Sequence, residues 1–380
     1  MSMQIVKRQE KLGDIAFYIG MGFQLLIMVV GYGDWGIPFH GRLMQIAFML
    51  FCVKILTTEY SKAEWLLMFI LGGIGVLSYV ATKDEYVLTV IVMIFAAKNI
   101  DFVRVCKWIL CIAFAFTIVT AFLSLCGVGG MAVDIRDYGR GGVEARWCLG
   151  FGHANNLHGT VWYLTALAAY LYYDKINWKS CVLATIGNFG LFYLTASRGG
   201  MIATQVVIIL VGVSKYWKNL FVKKWIYLFT TIEIIGVAIL SVVSAMIPFE
   251  KHPVLSIPDR LSTGRLHLAY WYADISKWNL LASGGELKAI DNGWVLMFFC
   301  YGYIIGILFI LFHLLLVYKA WKDKSGVLVV LLITSVFYTF MEATYTVNSS
   351  YLLCSLSYII AMLLISTKRK TKNEPKQLEN

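Results

Sequence analysis

Between Arg146 and Gly159 the chain reads RWCLGFGHANNLHG and runs straight into an apolar stretch. One Arg, two His and two Asn stand where a membrane helix would carry Leu or Val. Polar groups at that density are costly at a bilayer boundary unless they serve a site. The residue types suit an anion and a proton. Arg146 offers a planar fork for phosphate or carboxylate, His153 can exchange a proton near neutral pH, and Asn155 can position either partner.

The same kind of residue recurs at the edges of other apolar stretches. LTASRGG leaves Ser197 and Arg198 in a gap of a few residues between two segments, a spacing that favours an Arg pointing into a cavity over one snorkelling to the surface. GRLHLAYWYADISKW reads as a helix capped by Ser262 or Thr263, with Arg265 beside an amide-rich N-terminus. It follows an extended entry through Pro248, Pro253 and Pro258. Asp291 and Asn292 precede GWVLMFFCYGYIIG and set a carboxylate at a helix mouth. Arg140 lies in the Arg- and Gly-dense run IRDYGRGGVEARW. Asp259, Asp274, Glu286 and Glu342 read as solvated or paired carboxylates, and Glu233, inside an apolar stretch, as a partner for a neighbouring helix.

Other chemistry is not indicated. No paired Cys or His-x-x-x-His with an acid suggests a metal, and the runs GVGG, GRGG and SRGG lack a Walker lysine, so no metal or other cofactor is expected. The eight Cys are scattered through apolar runs, where they act as small packing residues; Cys126 and Cys148 alone could meet outside the membrane.

These residues need elements to hold them, and composition names the class. With 59% hydrophobic and 14% charged residues over 380 positions, the chain is a polytopic membrane protein. Apolar stretches near 15–32, 43–56, 65–81, 86–97, 108–126, 155–173, 180–196, 199–213, 225–247, 292–318, 326–341 and 350–366 predict an all-α bundle of about 12 spans. The organisation is five scaffold spans (1–126), an extracytoplasmic Arg/Gly loop (127–154), central spans (155–247), a large extracytoplasmic loop with an interfacial helix (248–291), C-terminal spans (292–366) and a basic cytoplasmic tail (367–380).

Cytoplasmic termini leave 22 of the 33 Lys and Arg inside and 11 outside. The net charge of +11 is therefore a matter of topology, and no nucleic-acid partner is indicated. The two basic types part company: 19 of 23 Lys lie inside, but 7 of 10 Arg lie outside (Arg42, Arg136, Arg140, Arg146, Arg198, Arg260, Arg265). An outward anion site is the functional reading; solvated ion pairing explains Arg42, Arg136 and Arg260 equally well.

Four spaced elements, GFGHANNLHG after Arg146, LTASRGG, LSTGRLHLAYW and LLASGGELKAIDNGWVLMFFCYG, together resemble the O-antigen polymerase and ligase family (Wzy/WaaL type), in particular its capsule and exopolysaccharide polymerase branch. The likeness covers about residues 140–310. It implies a metal-independent C-type glycosyltransferase in a bacterial cell membrane, acting on the extracytoplasmic side on undecaprenyl-pyrophosphate-linked oligosaccharide, with a flippase and chain-length regulators as partners. By position, Arg146, Arg198 and Arg265, with Arg140 nearby, would bind pyrophosphate. His153 and Asn155 match the family's His/Asn turn. Asp291-Asn292 and Gly302 keep the spacing at which the ligase branch carries His-Asn, but Asp replaces His, which favours polymerase over ligase.

Breaking an anomeric phosphate bond develops charge that Arg forks stabilise, and the acceptor hydroxyl needs a base. Asp291 is the first candidate, followed by His267 and His153; Ser197 and Asn292 would position substrate. A lipid-linked oligosaccharide transporter would also need many spans and an Arg-lined cavity. Its usual interrupted helices in repeated halves are not suggested by a chain with no internal repeat, whose five Pro all lie outside the apolar stretches.

Overall fold

The computed structural model describes residues 3–32, 40–137, 142–248, 253–261, 264–273, 278–281 and 290–343. Arg140, the expected last span 350–366 and the tail 367–380 lie outside them.

Each of the first eleven apolar stretches is helical, the tenth in two arms. They are α1 (Met3–Tyr32), α2 (His40–Leu56), α3 (Lys62–Thr82), α4 (Tyr86–Ala96), α5 (Phe102–Leu125), then, after a ribbon, α6 (Ala154–Leu171), α7 (Trp178–Thr195) and α8 (Arg198–Tyr216), the short α9 (Lys218–Phe221), α10 (Lys224–Met246), the connecting helices α11 (Pro253–Leu261) and α12 (Arg265–Tyr272), and finally α13 (Gly293–Lys322) and α14 (Gly326–Met341). Among the described residues, α3, α5, α8, α10 and α13 are long and apolar enough to cross a membrane, and α4 and α14 are shorter apolar helices. The chain is an all-α membrane protein in outline. Large apolar side chains such as Phe69 and Phe122 stand exposed, as lipid-facing helices require.

Polar caps explain where helices begin. Ser61 and Glu64 close a capping box on α3, Asp101 caps α5, and Asn177 with Ser180 caps α7. At the opposite end of the bundle from the site described below, buried Lys54 pairs with Asp14 at 2.7 Å.

Three expectations are corrected. Residues 127–154 are not all loop: β1 (Val133–Asp137) and β2 (Val143–Trp147) form an antiparallel ribbon with Asp134 opposite Arg146. The entry with Pro253 and Pro258 is helical, with Pro253 at the first position of α11, where its missing N–H costs nothing. Gly264, in a left-handed conformation, directly precedes α12, which ends at Tyr272; the expected caps Ser262 and Thr263 lie outside the described residues.

The largest departure is in α13, which is not one rod. Gly302 has φ 85° and ψ 174°, a conformation open essentially to glycine alone. Across it, Trp294 meets Phe309 and His313 with ring centroids 5.0 and 5.1 Å apart, and a Cβ on Gly306 would lie 2.5 Å from the Phe298 ring. In a continuous helix Trp294 and Phe309 would be about 22 Å apart. Residues 293–301 therefore fold back antiparallel onto 303–322. Segment 279–281 wedges at the turn, where Tyr303 and Ile304 donate their N–H groups to the carbonyls of Asn279 and Leu280. The fold-back sets the Asp291 end of the short arm about 12 Å along 303–322 from the turn, so this end is recessed beside the end of α14.

Candidate functional site

The site assembles where α6 and α8 begin and α7 and α14 end. His153 precedes α6 in extended conformation, and its Nδ1 accepts the N–H of Asn155 at 3.1 Å. The ring is thus a helix cap. Asn155 is turned to face its neighbours: Oδ1 accepts the Ser197 hydroxyl at 2.9 Å and Nδ2 donates to Glu342 Oε1 at 3.1 Å.

Ser197 sits at the head of α8, but its hydroxyl is committed to Asn155 and makes no capping bond. The chain reaches it through Ala196, held left-handed at φ 49°. A buried polar network fixes this corner. Thr195 Oγ1 accepts the Ser197 N–H at 3.3 Å and lies 3.1 Å from His158 Nδ1, while His158 Nε2 lies 3.0 Å from Asn188 Oδ1. The tautomer follows from the far end. Asn188 Nδ2 donates to the Met201 carbonyl and to Gln205 Oε1, so its Oδ1 must accept from His158 Nε2–H, and Nδ1 accepts the Thr195 hydroxyl. Gly200 makes room for the ring: a Cβ there would come within 2.7 Å of His158 Cβ and Cγ.

Glu342 ends α14 with its side chain 13% exposed, and Arg265 Nη2 donates to its Oε1 at 2.5 Å. The same guanidinium places Nε 3.6 Å from Asp291 Oδ2. The first turn of α8 closes on this trio, since a Cβ on Gly199 would lie 3.3 Å from Glu342 Oε1 and 3.6 Å from Arg265 Nη2. One Arg between two carboxylates spreads their proton affinities. Burial pushes Glu342 up to about 7 against the pull of Arg265, and Asp291 adds to the rise. Burial also raises Asp291, with Arg265 opposing. Asp291 is 44% exposed and so remains within reach of a ligand.

Four of the residues expected from sequence are brought together: Arg265, Asp291, Asn155 and Ser197. Arg198 stands beside them at the first position of α8, exposed, with no hydrogen bond or ion pair among the described residues. A cation there, at a helix start left uncapped by its own serine, is available to an anion.

The others are placed differently. Arg146 is buried in β2, with Nε and Nη2 on Glu144 at 2.9 and 2.5 Å, so its fork is occupied by a protein carboxylate. His267 is two residues past Arg265, about 200° round the helix, and its ring lies tilted against Trp271 with centroids 5.3 Å apart. Asn292 is the cap of the short arm: Oδ1 accepts from Trp294 and Val295 at 3.0 and 3.2 Å, and Nδ2 donates to Ser241 at 3.0 Å. His153 is held neutral by burial, reinforced by Arg136. Cys126 and Cys148 are free thiols. Glu233 finds no neighbouring helix partner for its Oε2 among the described residues.

Glu342, which the sequence offers only as one of several solvated or paired carboxylates, is paired with Arg265 in the site. The available signal was a lone carboxylate just past an apolar helix, in FMEATY, the same signal that Asp291 gives. No protein-family model, curated protein or solved structure matches the chain.

Proposed function

We propose that the protein is a polysaccharide polymerase: a glycosyltransferase that joins undecaprenyl-pyrophosphate-linked oligosaccharide repeats at the extracytoplasmic face of a bacterial cell membrane. The observation that carries this reading is the cluster in which Arg265 holds Asp291 and Glu342 beside the exposed Arg198. It joins a free cation to a reachable carboxylate, the two tools the transfer needs. In this reading the donor pyrophosphate takes Arg198 and the first amides of α8, with Arg265 stabilising charge as the phosphate departs. The acceptor oxygen attacks the anomeric carbon, the carbon–oxygen bond to phosphate breaks, undecaprenyl pyrophosphate leaves, and the hydroxyl proton passes to Asp291. Glu342 and Asn155 keep Arg265 and Ser197 in place.

The interruption at Gly302 favours a second reading, transport of the lipid-linked glycan, because transporters build sites on broken helices. Those breaks usually separate two stretches of a crossing helix at the ligand; here the turn joins antiparallel arms that are packed against each other. The transferase therefore has the better support. Purified protein incubated with one lipid-linked repeat unit tests it by product size. A ladder of longer glycans with release of undecaprenyl pyrophosphate is expected. Unchanged glycan that moves between leaflets of proteoliposomes would replace the proposal with transport, and a single transfer to a different acceptor would replace it with ligation.

A further inference from the structure

The ribbon β1–β2 is built inside out. Alternation along a strand puts Val133, Ile135, Val143, Ala145 and Trp147 on one face, with Asp137 opposite Val143 at the tip, and Asp134, Arg136, Glu144 and Arg146 on the other. An antiparallel pair on a water-soluble surface turns its apolar face inward and its charges outward. Here Asp134 and Arg146 are buried, whereas Ile135 is 67%, Val143 71% and Trp147 38% exposed. The charges of that face are paired within the ribbon, half-exposed Arg136 with buried Asp134 and partly exposed Glu144 with buried Arg146, so neither buried charge is left alone.

We infer that the outward apolar face of this ribbon is seated on the lipid bilayer, with Ile135, Val143 and Trp147 in the interfacial layer of the leaflet at the site end of the bundle. Three observations choose lipid over a protein partner. The ribbon rises from α5, a candidate membrane span whose final turns expose Phe122 and Leu125; the connection continues with exposed Val128 and Met131, so one apolar surface runs from span to ribbon. β2 packs against α7, so the ribbon is held to the end of a helix, and Tyr193 near the end of α7 is itself 89% exposed. A flat indole beside aliphatic side chains is also the composition that headgroup-level surfaces favour.

Backbone chemistry limits the depth. A two-stranded ribbon has two edges of unpaired N–H and C=O groups, which cannot enter hydrocarbon. The seat is therefore shallow, at the headgroup boundary. Held there, the charged underside stays over the start of α6, where Arg136 and Asp134 already act on His153. This holds whatever reaction the site performs.

Spin labels at Ile135→Cys and Val143→Cys, in full-length protein with the eight native Cys replaced, test the seat in phosphatidylethanolamine/phosphatidylglycerol vesicles. Arg136→Cys serves as the control on the charged face. Collisions with oxygen should exceed those with a water-soluble nickel chelate at 135 and 143 and not at 136, with depths no greater than the glycerol level. Nickel-dominated relaxation at 135 and 143 would put the face in water. Exclusion of both reagents would mean that protein covers it, a second copy or another part of this chain. Either result overturns the inference, as does a depth well inside the acyl region. Because labelled cysteines can disturb a ribbon, Ile135→Asp and Val143→Asp give a second reading: both should fold in detergent yet lose protection of the 133–147 amides on reconstitution. Unchanged protection would also overturn it.

Discussion

At the scale of residues, the site turns on which groups an Arg or Asp is left free to meet. Asn292 caps the short arm of α13 through its own side chain, so Asp291 has no capping duty. Asp291→Asn should therefore reduce chain growth by the factor of a lost general base, about 10²- to 10⁴-fold, while lipid-linked substrate still binds. Near-normal growth would pass the base role to Glu342. Arg198→Lys keeps the charge and loses the fork, and should weaken substrate binding with little change in folding. Arg265→Ala strands two carboxylates and should cost about 3–5 kcal/mol of stability, read by thermal unfolding in detergent, unless Glu342 takes up a proton. Exposed Arg260 should tolerate both Ala and Lys.

The pH dependence follows from Glu342 at about 7. Its raised value means that the folded state holds a proton the unfolded state has already released, so the group weakens stability as pH climbs from the ordinary carboxylate range through 7. Activity should run the other way, rising through pH about 7 as the ion pair with Arg265 forms, and Glu342→Gln should flatten that limb. Arg265, Asp291, Asn155 and Ser197 were legible in the sequence because each is a polar residue at an apolar border. Glu342 was equally placed but had several rivals, and only the return of α14 to the start of α6 sets it apart.

At the scale of elements, the helices were legible and the way one of them doubles back was not. The run 292–318 is apolar throughout because both arms of α13 are buried against each other, and uninterrupted apolarity hides a turn that contains no Pro. The trace it leaves is Gly302 and Gly306 in YGYIIG. Gly302→Ala should be severe, since its Cβ would fall 2.6 Å from Leu281 N and the backbone there belongs to glycine; strain of this kind costs about 1–3 kcal/mol before the steric clash. Gly236→Ala in α10 is the matched control, with open space around its Cβ, and should be neutral or gain a few tenths of a kcal/mol. Monodisperse yield after extraction compares the two; equal yields would mean the arms are not folded back as described. The inverted ribbon escaped sequence reading for a related reason. Its alternation is regular, but alternation alone does not say which face turns to the protein.

At the scale of the whole molecule, burial and charge divide the bundle in complementary ways. The two arms of α13 and the helix α14 form the interior, while α3 and α5 spend most of their length facing outward with apolar side chains, an arrangement that only lipid makes stable. The site lies at one end of this bundle, where α14 finishes at Met341 and α12 begins at Arg265, and Lys319 and Lys322 lie at the other, in the last turn of α13. The Lys that the described helices carry to that second end, among them Lys54, Lys98, Lys215 and Lys319, predict that it is cytoplasmic, which would open the site to the extracytoplasmic side. Single cysteines in a Cys-free background decide this in intact cells. Ser256→Cys in α11 should react with a membrane-impermeant maleimide and Lys322→Cys, in the last turn of α13, should not. If Lys322→Cys is labelled and Ser256→Cys is protected, the site faces the cytoplasm, where flipped lipid-linked repeats are absent. The polymerase reading would then fail even though every contact around Arg265 stood unchanged.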